Sequence, residues 1–140
     1  MKASVVIANY NNSNFIEECV NSLNSQTYKD IEIIFFDDNS KDNSIDIIKE
    51  FKNVKIIQNK FQTKYGSLNQ MNAFKKSVDI STGDIIFFLD SDDYFRNNKI
   101  EKIVNFFSYH KNKKIVFDFP IIVKENKKLN VKKKNNFLNT

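Results

Sequence analysis

Three carboxylates, Asp90, Asp92 and Asp93, fall within four positions directly after the apolar run Ile85-Ile86-Phe87-Phe88-Leu89. Acids this close repel one another, so their charge calls for a partner. A divalent cation is the simplest one, and Mg2+ is commonly held by one or two carboxylates together with substrate phosphates. An acidic, solvated turn is the plain alternative. The preceding run argues against it, because continuous apolar character predicts a strand buried on both faces. The carboxyl end of that strand would deliver the acids to a loop, and ligands of open α/β sheets bind just beyond such ends.

A second acidic pair, Asp37-Asp38, follows the run Ile31 to Phe36, and Tyr10 follows the run Ala3 to Ala8. If the three strands are parallel, all three groups share one rim. An aromatic face can stack on a planar base. A carboxylate can accept from a base N–H or from ribose hydroxyls, and a metal on the other acids can meet phosphates. Together these groups suit a nucleoside diphosphate. For Asp38 the plainer alternative is an acid favoured at a helix N-terminus, and Asp37 could equally serve that role. Gly66 and Gly83 are the only glycines, and neither belongs to a G-x-G-x-x-G or Walker loop. A phosphate cradle of glycine backbone amides is therefore disfavoured, which leaves the metal to offset phosphate charge.

The elements that must position these groups alternate. Ala3 to Ala8 predicts the first strand. Asn14, with Glu17 three residues on, predicts a capping box for a helix burying Ile16, Cys19, Val20 and Leu23. Ile31 to Phe36 is the second strand, followed by a helix from about Asp42 to Ser44 that buries Ile45, Ile47, Ile48 and Phe51. Val54 to Ile57 is a short strand, and Gln58 to Tyr65 reads as a loop. Ser67 to Ser81 predicts a helix with Leu68, Met71, Phe74 and Val78 in phase, and Gly83 as its C′ residue. After the acid-bearing strand, Lys99 to Tyr109 predicts a helix burying Ile100, Ile103, Val104 and Phe107. Lys114 to Phe119 and Ile121 to Val123 predict final strands broken by Pro120. This alternation predicts a mostly parallel sheet with helices on both faces.

With 140 residues, 41% of them hydrophobic, the chain suits one domain with a modest core. The net charge of +5 is local: Lys124 to Lys134 hold six lysines against Glu125, and the remaining 16 basic and 16 acidic residues balance. Residues 1–123 are thus expected to form the folded domain, with 124–140 a basic Lys/Asn-rich tail, solvated and disordered. The tail would hold an anionic membrane surface weakly, and it lacks the interleaved aromatics or known module of a nucleic-acid binder. No apolar run has bilayer-spanning length and no signal-peptide pattern is present. Cys19, the sole cysteine, permits no intrachain disulfide and reads as core rather than nucleophile. A cytoplasmic location is expected, at most peripheral to the inner membrane face.

Ser4-Val5-Val6-Ile7-Ala8-Asn9-Tyr10-Asn11, Ser25-Gln26-Thr27-Tyr28, Ile31-Glu32-Ile33-Ile34 through Asp37-Asp38-Asn39-Ser40, and Gly83-Asp84-Ile85-Ile86 through Leu89-Asp90-Ser91-Asp92-Asp93 resemble the family 2 glycosyltransferases. The resemblance covers about Lys2 to Tyr109. It implies a Rossmann-like GT-A nucleotide-binding half and an inverting transfer from a nucleotide-sugar donor, often UDP-linked, with Mn2+ or Mg2+ as cofactor. It places Tyr10 near the base, Asp38 in a hydrogen bond to it, and Asp90 and Asp92 in a D-x-D motif. The resemblance implies that Asp92 would be the favoured direct metal ligand of that motif and that Asp90 would hold ribose or the metal. Asp93 is secondary.

Three positions depart from the family pattern. Met71-Asn72 stands where an Arg-Asn pair is common, and Ala8 where Thr or Pro is common. No carboxylate after Asp93 occupies the place of the catalytic base, since Asp118 falls in a predicted strand and Glu125 in the tail. The base and the acceptor site are thus expected beyond residue 140, and a donor-binding module without turnover is the alternative to an active transferase. The acceptor, a glycan or lipid-linked group, is open, as is a homo-oligomer. An apolar strand followed by Asp-x-Asp also begins haloacid dehalogenase-type phosphatases. There the motif sits on the first strand with Thr or Val two residues after its second Asp, where this chain has Tyr94. A phospho-acceptor receiver would want its acidic pair after the first strand.

Overall fold

Four strands pair in parallel in the order β3-β2-β1-β4: β1 (Ala3–Asn9), β2 (Ile31–Asp37), β3 (Val54–Gln58) and β4 (Ile85–Asp90). The computed structural model describes residues 1–117 and the backbone of residues 122–124 and 127–129. Each parallel connection carries a helix: α1 (Ile16–Asn24), α2 (Ser44–Lys49) and α3 (Gly66–Asp79), with α4 (Lys99–Tyr109) following β4. These elements make one compact unit, Met1–Tyr109. In the second unit, His110–Thr140, β5 (Ile122–Lys124) pairs antiparallel with β6 (Lys127–Leu129). Among the described residues no helix is long and apolar enough to cross a membrane.

Strand periodicity divides the apolar residues between two layers. Val5, Ile7, Ile33, Phe35, Phe87 and Leu89 point to one side, where Ile16, Cys19, Val20 and Leu23 of α1, Ile48 of α2, and Ile100 and Val104 of α4 complete a core. Val6, Ile34 and Phe36 are buried on the other side. There α3 packs over β1 and β2. Helices on both faces of a parallel sheet are the layering that the alternating sequence predicts.

Several local expectations are corrected. β4 is buried on one face only: Ile85, Phe87 and Leu89 are inside, whereas Phe88 is 54% exposed. The reason is its position, since among the described residues β4 pairs with β1 alone; on that face Phe88 has the Phe74 ring 4.8 Å away between centroids. In α3, Leu68, Met71 and Val78 are exposed, and the buried positions are Ala73 and Ser77. A sheet face already lined by Val6, Ile34 and Phe36 admits a helix closely only where its side chains are small. The Ser77 hydroxyl is satisfied there by the Ala73 carbonyl at 2.8 Å.

Asn14 caps nothing: the N-cap of α1 is Phe15, with no side-chain cap. The turn is held instead from a neighbouring loop, by Ser13 N–H donating to Asp42 Oδ2 at 2.9 Å. Gly83 is no helix terminator either, since α3 is capped at Ile80 and no glycine has positive φ. Lys114 to Phe117 form no strand, and Lys127–Leu129 do, inside the stretch expected to be a disordered tail. Asp118, Pro120, Glu125 and residues 130–140 lie outside the described residues.

Candidate functional site

All four strands run the same way, so their C-terminal ends share one rim, and β1 is flanked there by β2 and β4 in a register pairing Asn9 with Asp37 and Ala8 with Asp90. The loops after these strands are laced together by short polar side chains. Asn9 Nδ2 donates to Asp37 Oδ1 (2.9 Å) and Ser40 Oγ (3.1 Å). Asn11 N–H donates to the same Ser40 Oγ, and Asn11 Oδ1 accepts from Lys41 N–H at 2.7 Å. Asn11 and Asn39 adopt left-handed φ of 53° and 59°, a conformation Asn tolerates better than most residues. Asp37 is 2% exposed and spends its second oxygen on Ser40 N–H. Its role is therefore to fix the loop.

Asp42 extends the lacing. Burial alone would raise its carboxyl, but hydrogen bonds from Ser44 and Ser13 outweigh that and hold it down at about 2. On the other side of β1, Asn12 Nδ2 reaches Ser91 Oγ (3.0 Å) and Ser91 N–H reaches the Ala8 carbonyl (3.1 Å), which ties the acidic loop to the loop carrying Tyr10. The motif residue Gln26 works farther off. Fully buried, it donates to the carbonyls of Ser22 and Arg96 and accepts from Ile100 N–H, pinning the end of α1 to the entrance of α4.

Between these loops and α3 lies a cavity of about 490 Å³, walled by Tyr10, Asp38, Asp90 and Asp92 among others. All four side chains expected at a nucleotide site therefore meet in one place, in a volume within the usual ligand-pocket range of roughly 300–1,000 Å³. Tyr10 is half exposed, its ring available for stacking. Asp38 is buried, with Oδ1 accepting from Asn59 Nδ2 (2.7 Å) and Oδ2 from Gln62 Nε2 (2.9 Å). A carboxylate offers about four lone-pair sites, so acceptor capacity remains. Asp90 Oδ1 accepts from Gln70 Nε2 at 2.7 Å. Asp93 is not on the wall. Partial burial, then the charges of Asp92 and Asp90, raise its carboxyl above the ordinary range, which registers the crowding of negative charge at this corner.

Among the described residues no three His, Cys, Asp or Glu groups gather as a self-sufficient metal cage. Two carboxylates on a cavity wall nevertheless fit a hard cation whose remaining ligands are water and phosphate. The polar wall also includes Asn9, Asn12, Gln62, Thr63, Lys64, Asn69 and Gln70. Sequence reasoning missed them because amides and a loop lysine carry no periodic signal. The available hint was the density of Asn and Gln at strand ends and at the start of α3.

A family model described as glycosyl transferase family 2 matches residues 4–139. The chain belongs to this family. A relative from Escherichia coli, described as UDP-Glc:alpha-D-GlcNAc-diphosphoundecaprenol beta-1,3-glucosyltransferase WfaP, is 42% identical over 77% of this chain and 42% of its own length. The crystal structure of Staphylococcus aureus TarS residues 1–349 in complex with UDP superposes with a TM-score of 0.68 at 28% identity, over 79% of this chain and 33% of that one; a UDP-GlcNAc complex of the same protein gives 0.69. The mannosyltransferase PcManGT of Pyrobaculum calidifontis, in complex with GDP-Man and Mn2+, matches in fold at 18% identity with a TM-score of 0.59. The fold is thus of the GT-A type. The family 2 chain spans less than half the length of these relatives.

Proposed function

We propose that this family 2 chain binds a nucleotide-diphosphate sugar, with UDP as its nucleotide, and serves transfer of the sugar with inversion to a glycan or lipid-linked acceptor. The observation that carries this reading is the convergence of Tyr10, Asp38, Asp90 and Asp92 on one cavity at the C-terminal rim of a parallel sheet. The UDP and UDP-GlcNAc complexes of TarS, 28% identical, support the choice of donor.

In this reading the Tyr10 ring stacks on the base. Asp38 accepts a base N–H on a lone pair left free by Asn59 and Gln62. Asp90, oriented by Gln70, holds ribose or metal, and Asp92 is the metal ligand. Mn2+ or Mg2+, when bound, supplies Lewis-acid stabilisation of the leaving diphosphate. In an inverting displacement the acceptor oxygen bonds to the anomeric carbon as the bond to the diphosphate oxygen breaks, and the acceptor proton passes to a base. No described residue is proposed for that base.

Calorimetric titration of UDP with and without Mn2+, on the wild type and on Asp92→Ala, tests the reading. Mn2+-dependent binding that the variant loses is the expected result. No binding of UDP by the wild type in Mn2+ would leave the chain with the fold and without this function.

A further inference from the structure

The wall of the cavity carries three carboxylates, Asp38, Asp90 and Asp92, against a single cationic side chain among the described residues, Lys64. A diphosphate adds negative charge to a wall that is already negative, and one divalent ion offsets only part of the total. A second cation at the wall is therefore valuable, and the lysines nearby do not supply it. Lys60, Lys75 and Lys76 are off the wall, and the Lys76 ammonium stands 5.6 Å from the centroid of the Phe36 ring.

The segment that carries Lys64 is held through the two residues just before it. Gln62 donates to Asp38. Thr63 is bound to α3, where Asn69 Oδ1 accepts from Thr63 N–H (2.9 Å) and Thr63 Oγ1 (2.8 Å), while Asn69 Nδ2 donates to the Thr63 carbonyl (3.0 Å). The Lys64 ammonium rests 5.1 Å from the centroid of the neighbouring Tyr65 ring, an arrangement worth roughly 0.5–1 kcal/mol at an exposed site. A lysine in a loop without periodicity is thereby placed at the cavity by two hydrogen-bonded clamps.

We infer that Lys64 is the residue that reads the diphosphate of the donor by direct charge-assisted contact. The inference rests on the donor-binding reading above and adds to it a residue outside the acidic motif. A lysine meets phosphate as a compact point charge, so the contact is indifferent to the base and to the sugar. It separates nucleoside diphosphate from nucleoside.

The test is titration of UDP and of uridine, both with Mn2+, into the full chain as wild type, Lys64→Met and Lys64→Arg. Calorimetry follows UDP, and NMR chemical shifts follow uridine. UDP affinity is expected to fall roughly tenfold in Lys64→Met, the scale of one exposed charge-assisted contact. Uridine affinity is expected to stay unchanged, Lys64→Arg to recover most of the loss, and the salt dependence of UDP binding to become shallower in Lys64→Met. Unchanged UDP affinity in Lys64→Met would overturn the inference and leave the donor site standing. Equal loss for UDP and uridine would also overturn it, since that result assigns Lys64 to loop structure. Failure of the wild type to bind UDP would overturn both readings.

Discussion

Gln70 Nε2 donates a 2.7 Å hydrogen bond to Asp90 Oδ1, joining the first turns of α3 to the end of β4 across the cavity. The bond restrains the rotation of the Asp90 carboxylate, the group proposed above to hold ribose or metal. Gln70 is exposed, so its removal is expected to change stability little, within about 0.5 kcal/mol. Gln70→Ala is expected to weaken Mn2+-dependent UDP binding three- to tenfold, roughly the worth of one hydrogen bond, with an unchanged melting temperature. Calorimetry alongside thermal unfolding checks both. A binding loss that only mirrors a drop in stability would contradict a positioning role.

The acidic positions and the parallel order were legible because strand ends and carboxylates are strong local signals. Runs such as Val5-Val6-Ile7 and Ile33 to Phe36 belong to central strands covered on both faces, and these keep both registers apolar. The same reasoning failed for β4. Its sequence is as apolar as that of β2, yet its place at the edge of the described sheet leaves Phe88 outside, and strand order is not written in one strand. It failed for α3 as well, where close approach to the sheet selects Ala73 and Ser77 over the larger residues on the expected stripe. The amide lacing of Asn9, Asn11, Asn12, Asn59 and Gln62 depends on which loops become neighbours, a tertiary fact that residue spacing does not carry.

Gly83 is required for closeness and not for backbone freedom. A Cβ there would lie 2.5 Å from Ser4 Oγ and 2.7 Å from the Ser4 backbone nitrogen. Backbone cannot retreat without disturbing β1, which is paired on both sides, and the bond from Gly83 N–H to Ser4 Oγ at 2.9 Å would be strained with it. Gly83→Ala is expected to cost about 2–3 kcal/mol, in the range of overpacked core substitutions. A lower urea midpoint at an unchanged slope is the signature. A midpoint equal to that of the wild type would show that the loop yields freely.

Cys19 is buried against the same corner of the fold that carries the acids. Burial first, then the charges of Asp93, Asp92, Asp90 and Glu18, push its thiol up to about 12. The thiolate is the reactive species, so native protein at pH 8 is expected to resist alkylation by iodoacetamide and to label rapidly in denaturant. The folded value exceeds the unfolded one, so ionisation of the unfolded thiol near its ordinary 9.0 is expected to erode stability as pH rises past that point. Mass spectrometry of labelled samples over time measures the protection. Native labelling at the rate of a free thiol would refute it.

Glu32 anchors the opposite rim of the sheet. Its carboxylate accepts from Ser4 Oγ (2.6 Å), from Thr82 N–H (2.7 Å) and from Lys55 Nζ (2.5 Å), with Lys2 Nζ 3.7 Å away. Burial would raise its carboxyl, yet the hydrogen bonds from Lys55, Ser4 and Thr82 together prevail and lower it from 4.5 to about 2. A carboxyl held low in the folded state contributes stability that is complete above its unfolded value and disappears as pH falls through the folded one. Glu32→Gln keeps the shape and removes the charge. It is expected to cost about 2 kcal/mol at pH 7, the scale of charge-assisted hydrogen bonds lost at a mostly buried site. The difference from wild type should narrow below about pH 4.5 and close near pH 2, the two values that bracket its titration. Urea unfolding of both proteins across that range measures the gap. A gap that stays constant down to pH 2 would mean that the effect of the substitution is steric and that the carboxylate's charge contributes nothing.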